Sequence, residues 1–364
     1  MEQTSQRELR AIDPTWTIAD LMTHIGRALI GDGPALCLDQ TQLTSVAHSI
    51  AVVIPTSGST GIRKEVGLSA GALLASAKGA NNYLGAKPGQ TWSLLLPVTH
   101  VAGINVLIRS LELGTIPLDL RSHSGKYPKV DFTSIVPTQL YRALHGDSDL
   151  LEHLQNAQTV LVGGSALTHD LRNLAVAAKI KIVETYGMTE TSGGCFYNGT
   201  PLQGVSVKIS THGTIMIAGT TIASTYVDAP QRWKEVFHDG WFVTSDLGFI
   251  ENGALKIAGR IDDIIISGGE NVSLSAVEKE LESAFPGIIA TAFPVEDEQW
   301  GQSICIAVAG TLHPDEEEIK STLVKSLGVG ATPKGFLYLD ELPKSALGKI
   351  EKGKLIEKFS RSAT

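Results

Sequence analysis

Pro55-Thr-Ser-Gly-Ser-Thr-Gly-Ile-Arg-Lys-Glu65 is the stretch on which the reading of this chain turns. It follows the apolar run Ile50–Ile54, which reads as a strand. Gly58 and Gly61 let backbone N–H groups turn inward, and Thr56, Ser57, Ser59 and Thr60 add hydroxyl donors. With the cation of Lys64, this set can surround phosphate oxygens. It is not a Walker A loop, because Gly58 and Gly61 are three apart and Lys64 follows three later. A Ser/Gly-rich turn after a strand has the same composition, so the stretch alone leaves a phosphate cradle and a polar turn both open.

Outward from it, short apolar runs at Trp92–Leu96, Thr159–Val162 and Ile180–Glu184 read as further strands. Helical patterns at Ser69–Ala80, Thr99–Glu112 and His169–Lys179 lie between them. The alternation predicts an α/β fold with a largely parallel sheet. From Val205 to Ile257 short strands alternate with Gly-containing turns (Thr211-His-Gly, Asp239-Gly, Glu251-Asn-Gly), which predicts an antiparallel β subdomain. After Asp262 the pattern becomes α+β. Ile264–Ile266, Ser303–Ala309 and Phe336–Leu339 read as strands, and Ser273–Phe285 and Asp315–Leu327 as helices. The expected division is 1–261 for a large domain and 262–364 for a small one.

A chain of 364 residues, 43% hydrophobic and 19% charged, has the composition of a globular protein with a sizeable core. A net charge of −8 argues against a nucleic-acid surface. Three scattered cysteines, Cys37, Cys195 and Cys305, fit neither a disulfide framework nor a structural zinc site. There is no signal-like start and no apolar run approaching about 20 residues, so the expectation is a cytoplasmic protein without a membrane span.

Three later segments stand in a fixed order behind the opening stretch: Glu184-Thr-Tyr-Gly-Met-Thr-Glu190, Gly240-Trp-Phe-Val-Thr-Ser-Asp246 followed by Ala258-Gly-Arg-Ile-Asp262, and Leu342-Pro-Lys-Ser-Ala-Leu-Gly-Lys-Ile350. Together the four resemble the signature segments of the adenylate-forming superfamily, which includes acyl-CoA synthetases, adenylation domains and luciferases. The resemblance spans Thr56 to Lys349. It implies ATP, Mg²⁺ and coenzyme A as cofactors and a carboxylic acid as substrate. A mobile C-terminal domain would carry the catalytic Lys349.

The residue chemistry agrees with that pattern. The ring of Tyr186 can stack on a purine, with Thr185 and Gly187 beside it, Thr189 can hydrogen-bond a phosphate, and Glu190 is a hard oxygen ligand for Mg²⁺. Gly163, Gly164 and Ser165 follow a strand and allow close backbone approach to adenine and acyl group. Asp246 can take both ribose hydroxyls and Arg260 a second ribose or phosphate contact; otherwise the two form a surface ion pair. Lys349 either meets the charge that builds on the reacting oxygens or is an exposed turn lysine. The resemblance places the hinge at Asp262, with Asp263 as its neighbour, and brings Gly268 and Gly269 to the coenzyme A path.

The resemblance implies two half-reactions, adenylation of the acid and then attack of a thiol on the acyl-adenylate. Leu96–Leu111 is similar to the segment lining the acyl pocket. His100 would face the acyl group or be a satisfied core histidine, Gly103 would make room, and Arg109 would hold a second carboxylate or brace the helix. Within the superfamily the segment is most similar to ligases of o-succinylbenzoate in menaquinone biosynthesis, with a homodimer as one possible assembly. The alternatives are a ligase for another acid, a stand-alone adenylation enzyme, and a silent nucleotide-binding regulator. The last predicts loss of Lys349 or Glu190, and both are present. Arg63 and Glu65 depart from the family's Pro and Gly, which predicts altered flexibility of the phosphate loop.

Overall fold

The apolar run before the phosphate stretch forms the strand Ile50–Ser57, and the chain returns antiparallel to it as a second strand, Arg63–Ser69. Thr56 stands opposite Lys64 and Ser57 opposite Arg63, so the stretch is the end of a β-hairpin. The second strand was not expected, because its three opening charges hide it. Val66 and Leu68 are nevertheless fully buried, and Glu65 is 8% exposed. The computed structural model describes residues 5–57, 63–267, 270–297, 301–344 and 350–362. Gly58, Ser59, Thr60, Gly61, Gly268, Gly269 and Lys349 lie outside the described residues.

The hairpin belongs to a six-stranded mixed sheet in the order Thr225–Tyr226, Arg63–Ser69, Ile50–Ser57, Ala35–Cys37, Gln6–Ala11, Ser45–Ala47. Ala35–Cys37 pairs parallel with both of its neighbours, and the other pairs are antiparallel. A seven-stranded sheet runs Thr200–Pro201, Gly193–Tyr197, Ile182–Met188, Thr159–Val162, Phe132–Ile135, Trp92–Leu94, Leu118–Asp119. From Ile182–Met188 to Leu118–Asp119 every pair is parallel, which is the sheet that the alternating pattern predicted. Parallel neighbours need crossovers, and the helices Val101–Glu112, Pro137–Leu144, Ser148–Asn156 and His169–Ala177 lie between these strands in the chain.

Both sheets contribute to one apolar core that includes Ile54, Leu68, Trp92, Phe132 and Phe196. Full burial of each such side chain contributes about 1.5–3 kcal/mol. Two helices from this core shape the site. Ala70–Leu84 starts at Ser69, whose hydroxyl accepts from the Ala72 N–H, and ends at Gly85 in the left-handed region. Val101–Glu112 starts at His100 without a side-chain cap.

The antiparallel region holds Val205–Ile209 against Thr214–Gly219, and Phe237–His238 against Trp241–Glu251. Asp239-Gly240 and Asn252-Gly253 have positive φ at both residues, the hairpin geometry that the sequence suggested. The chain divides into two compact units. One comprises Met1–Ser210, Ile215–Thr244 and Ile250–Lys256; the other comprises Thr211–Thr214, Ser245–Phe249 and Ile257–Thr364. In the second unit a sheet runs Glu270–Ser273, Ile264–Ser267, Gly301–Ala309, Ile289–Asp297, with Pro333–Leu339 parallel to Gly301–Ala309. The helices Leu274–Ala284 and Glu316–Leu327 pack Val277, Leu281, Ile319 and Leu323 into its core.

Candidate active site

In the first unit, Lys64 and Glu190 are 126 positions apart in sequence, yet one side chain connects them. The Tyr226 hydroxyl donates to Glu190 Oε1 at 2.8 Å. The Lys64 ammonium lies 3.5 Å from the same hydroxyl oxygen and 5.0 Å from the centre of the tyrosine ring. Burial, followed by the Glu190 carboxylate, pushes the Tyr226 hydroxyl far above its ordinary range, so it stays protonated. Tyr226 was not among the expected residues. A tyrosine in an antiparallel region reads as core, and only the pairing of Tyr226 with Val66 brings it to the hairpin.

Glu190 sits in the single 3₁₀ turn Thr189–Thr191, which follows the strand Ile182–Met188. The next residue, Ser192, is buried in the left-handed region at φ 53°. Its carbonyl accepts from Ser76 Oγ at 2.9 Å and from Asn105 Nδ2 at 2.8 Å, and its hydroxyl donates to Thr221 O at 2.8 Å. The Glu190 carbonyl accepts from the Ala223 N–H at 2.8 Å. Three side chain–backbone bonds and one backbone bond therefore fix the turn that carries the carboxylate.

Gly163, Gly164 and Ser165 leave the C-terminal end of Thr159–Val162, beside the strand that carries Thr185, Tyr186 and Gly187. The carboxyl ends of parallel strands are where open α/β sheets bind ligands. Gly164 and Ser165 are exposed there. The Thr185 hydroxyl donates to Val162 O at 3.3 Å and occupies the space beside Gly163, where an added Cβ would meet it at 2.2 Å. The Tyr186 ring is half-buried, with its centre 6.0 Å from that of Phe196.

Around the helix Val101–Glu112 the structure corrects one expectation. Gly103 makes room for backbone, not for an acyl group: a Cβ there would lie 2.1 Å from the Pro97 carbonyl oxygen. His100 is half-buried, with Nδ1 at 2.9 Å from the Thr99 hydroxyl. Arg109 is 4% exposed. Its guanidinium donates to Ser134 Oγ at 3.3 Å and Tyr197 Oη at 3.1 Å and stacks 5.1 Å from the Trp92 ring centre. Its Nε and the Trp92 Nε1 are buried donors with no protein acceptor. Arg7 is a different buried arginine, satisfied by the carbonyls of Gly33, Ala28 and Ile50. Glu65, expected in the phosphate loop, belongs to the buried strand instead. Its carboxylate accepts from the Thr41 hydroxyl at 3.0 Å and its N–H donates to Asp228. Arg63 is exposed and lies 3.6 Å from Asp39.

In the second unit Arg260 bridges two carboxylates. It reaches Asp246 Oδ1 at 3.0 Å through one terminal nitrogen and grips Asp262 with two bonds of 2.7 and 2.9 Å. The hydrogen bonds that Arg260 donates to Asp262 raise the guanidinium pKa further, offset in part by burial. Asp246 is 6% exposed. Asp263 faces other partners, accepting from Ser275 Oγ at 3.0 Å and Lys352 Nζ at 3.3 Å.

Among the described residues no group of three or more His, Cys, Asp and Glu side chains is arranged to hold a metal ion. A single fixed carboxylate such as Glu190 fits a Mg²⁺ that arrives with nucleotide phosphates, which needs one or two protein carboxylates rather than a cage.

The candidate site residues thus form a Lys64–Tyr226–Glu190 cluster in the first unit and an Asp246–Arg260–Asp262 cluster in the second. Residues 7–227 match the family described as AMP-binding enzyme, and the chain belongs to that family. A protein of Mycobacterium tuberculosis (strain ATCC 25618 / H37Rv) named "Probable 2-succinylbenzoate–CoA ligase" is 34% identical, over 94% of this chain and 96% of its own length. A 2-succinylbenzoate–CoA ligase of Listeria monocytogenes serovar 1/2a is 29% identical, over 85% of this chain and 70% of its own. The fold is also that of an o-succinylbenzoate–coenzyme A synthetase from Bacillus subtilis solved with AMP. The TM-score is 0.70 and the identity 24%, over 87% of this chain and 72% of the other. No described helix is long and apolar enough to cross a membrane.

Proposed function

We propose that this chain is an AMP-forming acid–thiol ligase that joins 2-succinylbenzoate to coenzyme A through an acyl-adenylate, a step of menaquinone biosynthesis. The observation that carries the adenylation chemistry is the Lys64–Tyr226–Glu190 cluster at the strand ends. The choice of acid is supported by the relatives similar to this chain and by Arg109.

In the first half-reaction a carboxylate oxygen of the acid attacks the α-phosphorus of ATP, and pyrophosphate leaves. The hairpin around Thr56–Lys64 holds the β- and γ-phosphates, and Thr189 contacts phosphate. Tyr186 stacks on adenine beside Thr185, Gly187 and the Gly163–Ser165 turn. Asp246 takes the ribose hydroxyls, with Arg260 beside it. Glu190 would hold a Mg²⁺, which would supply neutralisation of phosphate charge. Lys349 meets the charge building on the reacting oxygens, where a preorganised cation stabilises the transition state more than the ground state. In the second half-reaction 262–364 rotates about Asp262, Gly268 and Gly269 line the coenzyme A path, and the thiol attacks the acyl carbonyl to release AMP.

His100 faces the acyl group. Arg109 takes the carboxylate that is not activated. A buried guanidinium whose partners are hydroxyls and whose Nε–H has no acceptor is ready for an anion, and an unpaired buried charge is costly until one arrives. We place the enzyme in the cytoplasm, as a homodimer, which sedimentation velocity tests.

Thioester formation from 2-succinylbenzoate, MgATP and coenzyme A, with benzoate, succinate and a medium-chain fatty acid in parallel, tests the reading. A strong preference for 2-succinylbenzoate that disappears in Arg109→Met is expected. Preference for another acid keeps the chemistry and removes the pathway, whereas no pyrophosphate release with any acid removes the activity.

A further inference from the structure

We propose that Tyr226 is a positioning residue of adenylation, a neutral spacer that holds the Lys64 ammonium and the Glu190 carboxylate close together without letting them pair. The proposal rests on the adenylation reading above and adds a residue that reading does not need.

Three features of the structure carry it. The hydroxyl stands between the two charges, donating to Glu190 Oε1 at 2.8 Å and lying 3.5 Å from Lys64 Nζ, and among the described residues no direct ion pair joins them. The ring cannot move aside. It is 2% exposed and packs edge-on against Trp233 at 5.1 Å, and Trp233 in turn stacks on Phe237 and Phe242. The backbone ties the spacer to the hairpin, because Tyr226 pairs with Val66, two residues after Lys64.

The chemical consequence follows from charge. An ammonium and a carboxylate in a partly buried site attract strongly and would neutralise each other. Each would then have to be separated before it met a phosphate oxygen or its counter-ion. The tyrosine satisfies one lone pair of Glu190 and leaves three acceptor positions. It offers Lys64 only a weak contact, so the ammonium keeps its donors for phosphate.

The test compares the full-length chain with Tyr226→Phe in three measurements. Pyrophosphate release from acid and MgATP without coenzyme A should fall about 10–100-fold, the usual cost of losing an outer partner of a ligand carboxylate. Thioester formation from preformed acyl-adenylate and coenzyme A should change less than about twofold, which a damaged fold would not allow. In a Lys64→Gln background the same tyrosine change should also cost less than about twofold, because no ammonium remains to collapse onto Glu190. Equal loss in both half-reactions, an undiminished adenylation rate, or the same cost in the Lys64→Gln background overturns the proposal. Should the unaltered chain adenylate no acid, the activity is wrong, and calorimetric titration with pyrophosphate decides Tyr226 by itself. Weaker binding in Tyr226→Phe supports the spacer, and equal binding overturns it.

Discussion

Two clusters of opposite charge in this molecule are built in opposite ways. Around Lys64 and Glu190 a neutral hydroxyl separates cation from anion. Around Arg260 the contacts are direct, with both carboxylate oxygens of Asp262 and one of Asp246 on the same guanidinium. The first arrangement leaves both charges available to a ligand. The second is internally satisfied, so a ligand that uses Asp246 must share it with Arg260 or take it over. A half-buried arginine with two carboxylates also fixes geometry better than a lysine would, because its planar fork is pre-organised.

The largest effect should come from neutralising the separated carboxylate. Glu190→Gln keeps the shape and the contact with Tyr226 but removes the charge, and adenylation is expected to fall about 10²–10³-fold. Single-turnover pyrophosphate release measures it; a loss under tenfold would mean that the turn is scaffold only. In the paired cluster the matching change is smaller. Asp246→Asn leaves Arg260 with Asp262, and the KM for ATP should rise about 10–100-fold, the worth of a charged hydrogen bond. Discrimination against 2′-deoxy-ATP and 3′-deoxy-ATP should drop with it, and unchanged discrimination removes Asp246 from the ribose. Lys64→Ala should slow adenylation about tenfold and spare the thioester half-reaction, and equal rates in both halves would remove its phosphate role.

The smallest expected effect lies outside both clusters. His153 is 3% exposed, with Nδ1 at 3.0 Å from the Pro128 carbonyl and Nε2 at 3.0 Å from Ser93 Oγ. A carbonyl only accepts, so the Nδ1–H tautomer is the neutral form that fits. Burial lowers the folded pKa below the ordinary value of about 6.5. The unfolded chain therefore binds the proton more readily, and stability is present above about pH 6.5 and lost as pH falls below it. The melting temperature should drop between pH 7 and pH 5 by more in the unaltered chain than in His153→Gln. Identical pH profiles would dismiss His153 as a source of acid sensitivity.

Much of the fold was legible. The parallel sheet appeared as apolar runs with helical patterns between them, and Ser273–Phe285 was read as a helix, which the structure starts at Ser273, whose hydroxyl accepts from the Ala276 N–H. The strand Arg63–Ser69 was hidden because its burial comes from neighbouring strands, not from alternation along its own residues. At Gly103 the sequence reading gave the space to an acyl group, whereas the atom that lies where a Cβ would be is the Pro97 carbonyl oxygen. The expected departure at Glu65 rested on placing it in a loop, whereas a half-buried hydroxyl from Thr41 and pairing in the sheet explain a carboxylate there.

What the sequence determined by itself is the set of reacting groups and their order. Hydroxyls, glycines, carboxylates and lysines at set spacings are properties of a short stretch, and short stretches can be read without knowing what surrounds them. What only the tertiary structure decided is which groups share a charge environment. Tyr226 meets Lys64, 162 positions away, through strand pairing, and Glu190, 36 positions away, through a side-chain hydrogen bond. Arg109 loses water to a core assembled from Trp92, Ser134 and Tyr197. Desolvation and distance set the strength of every electrostatic contact, and both arise from packing between residues that the chain keeps far apart.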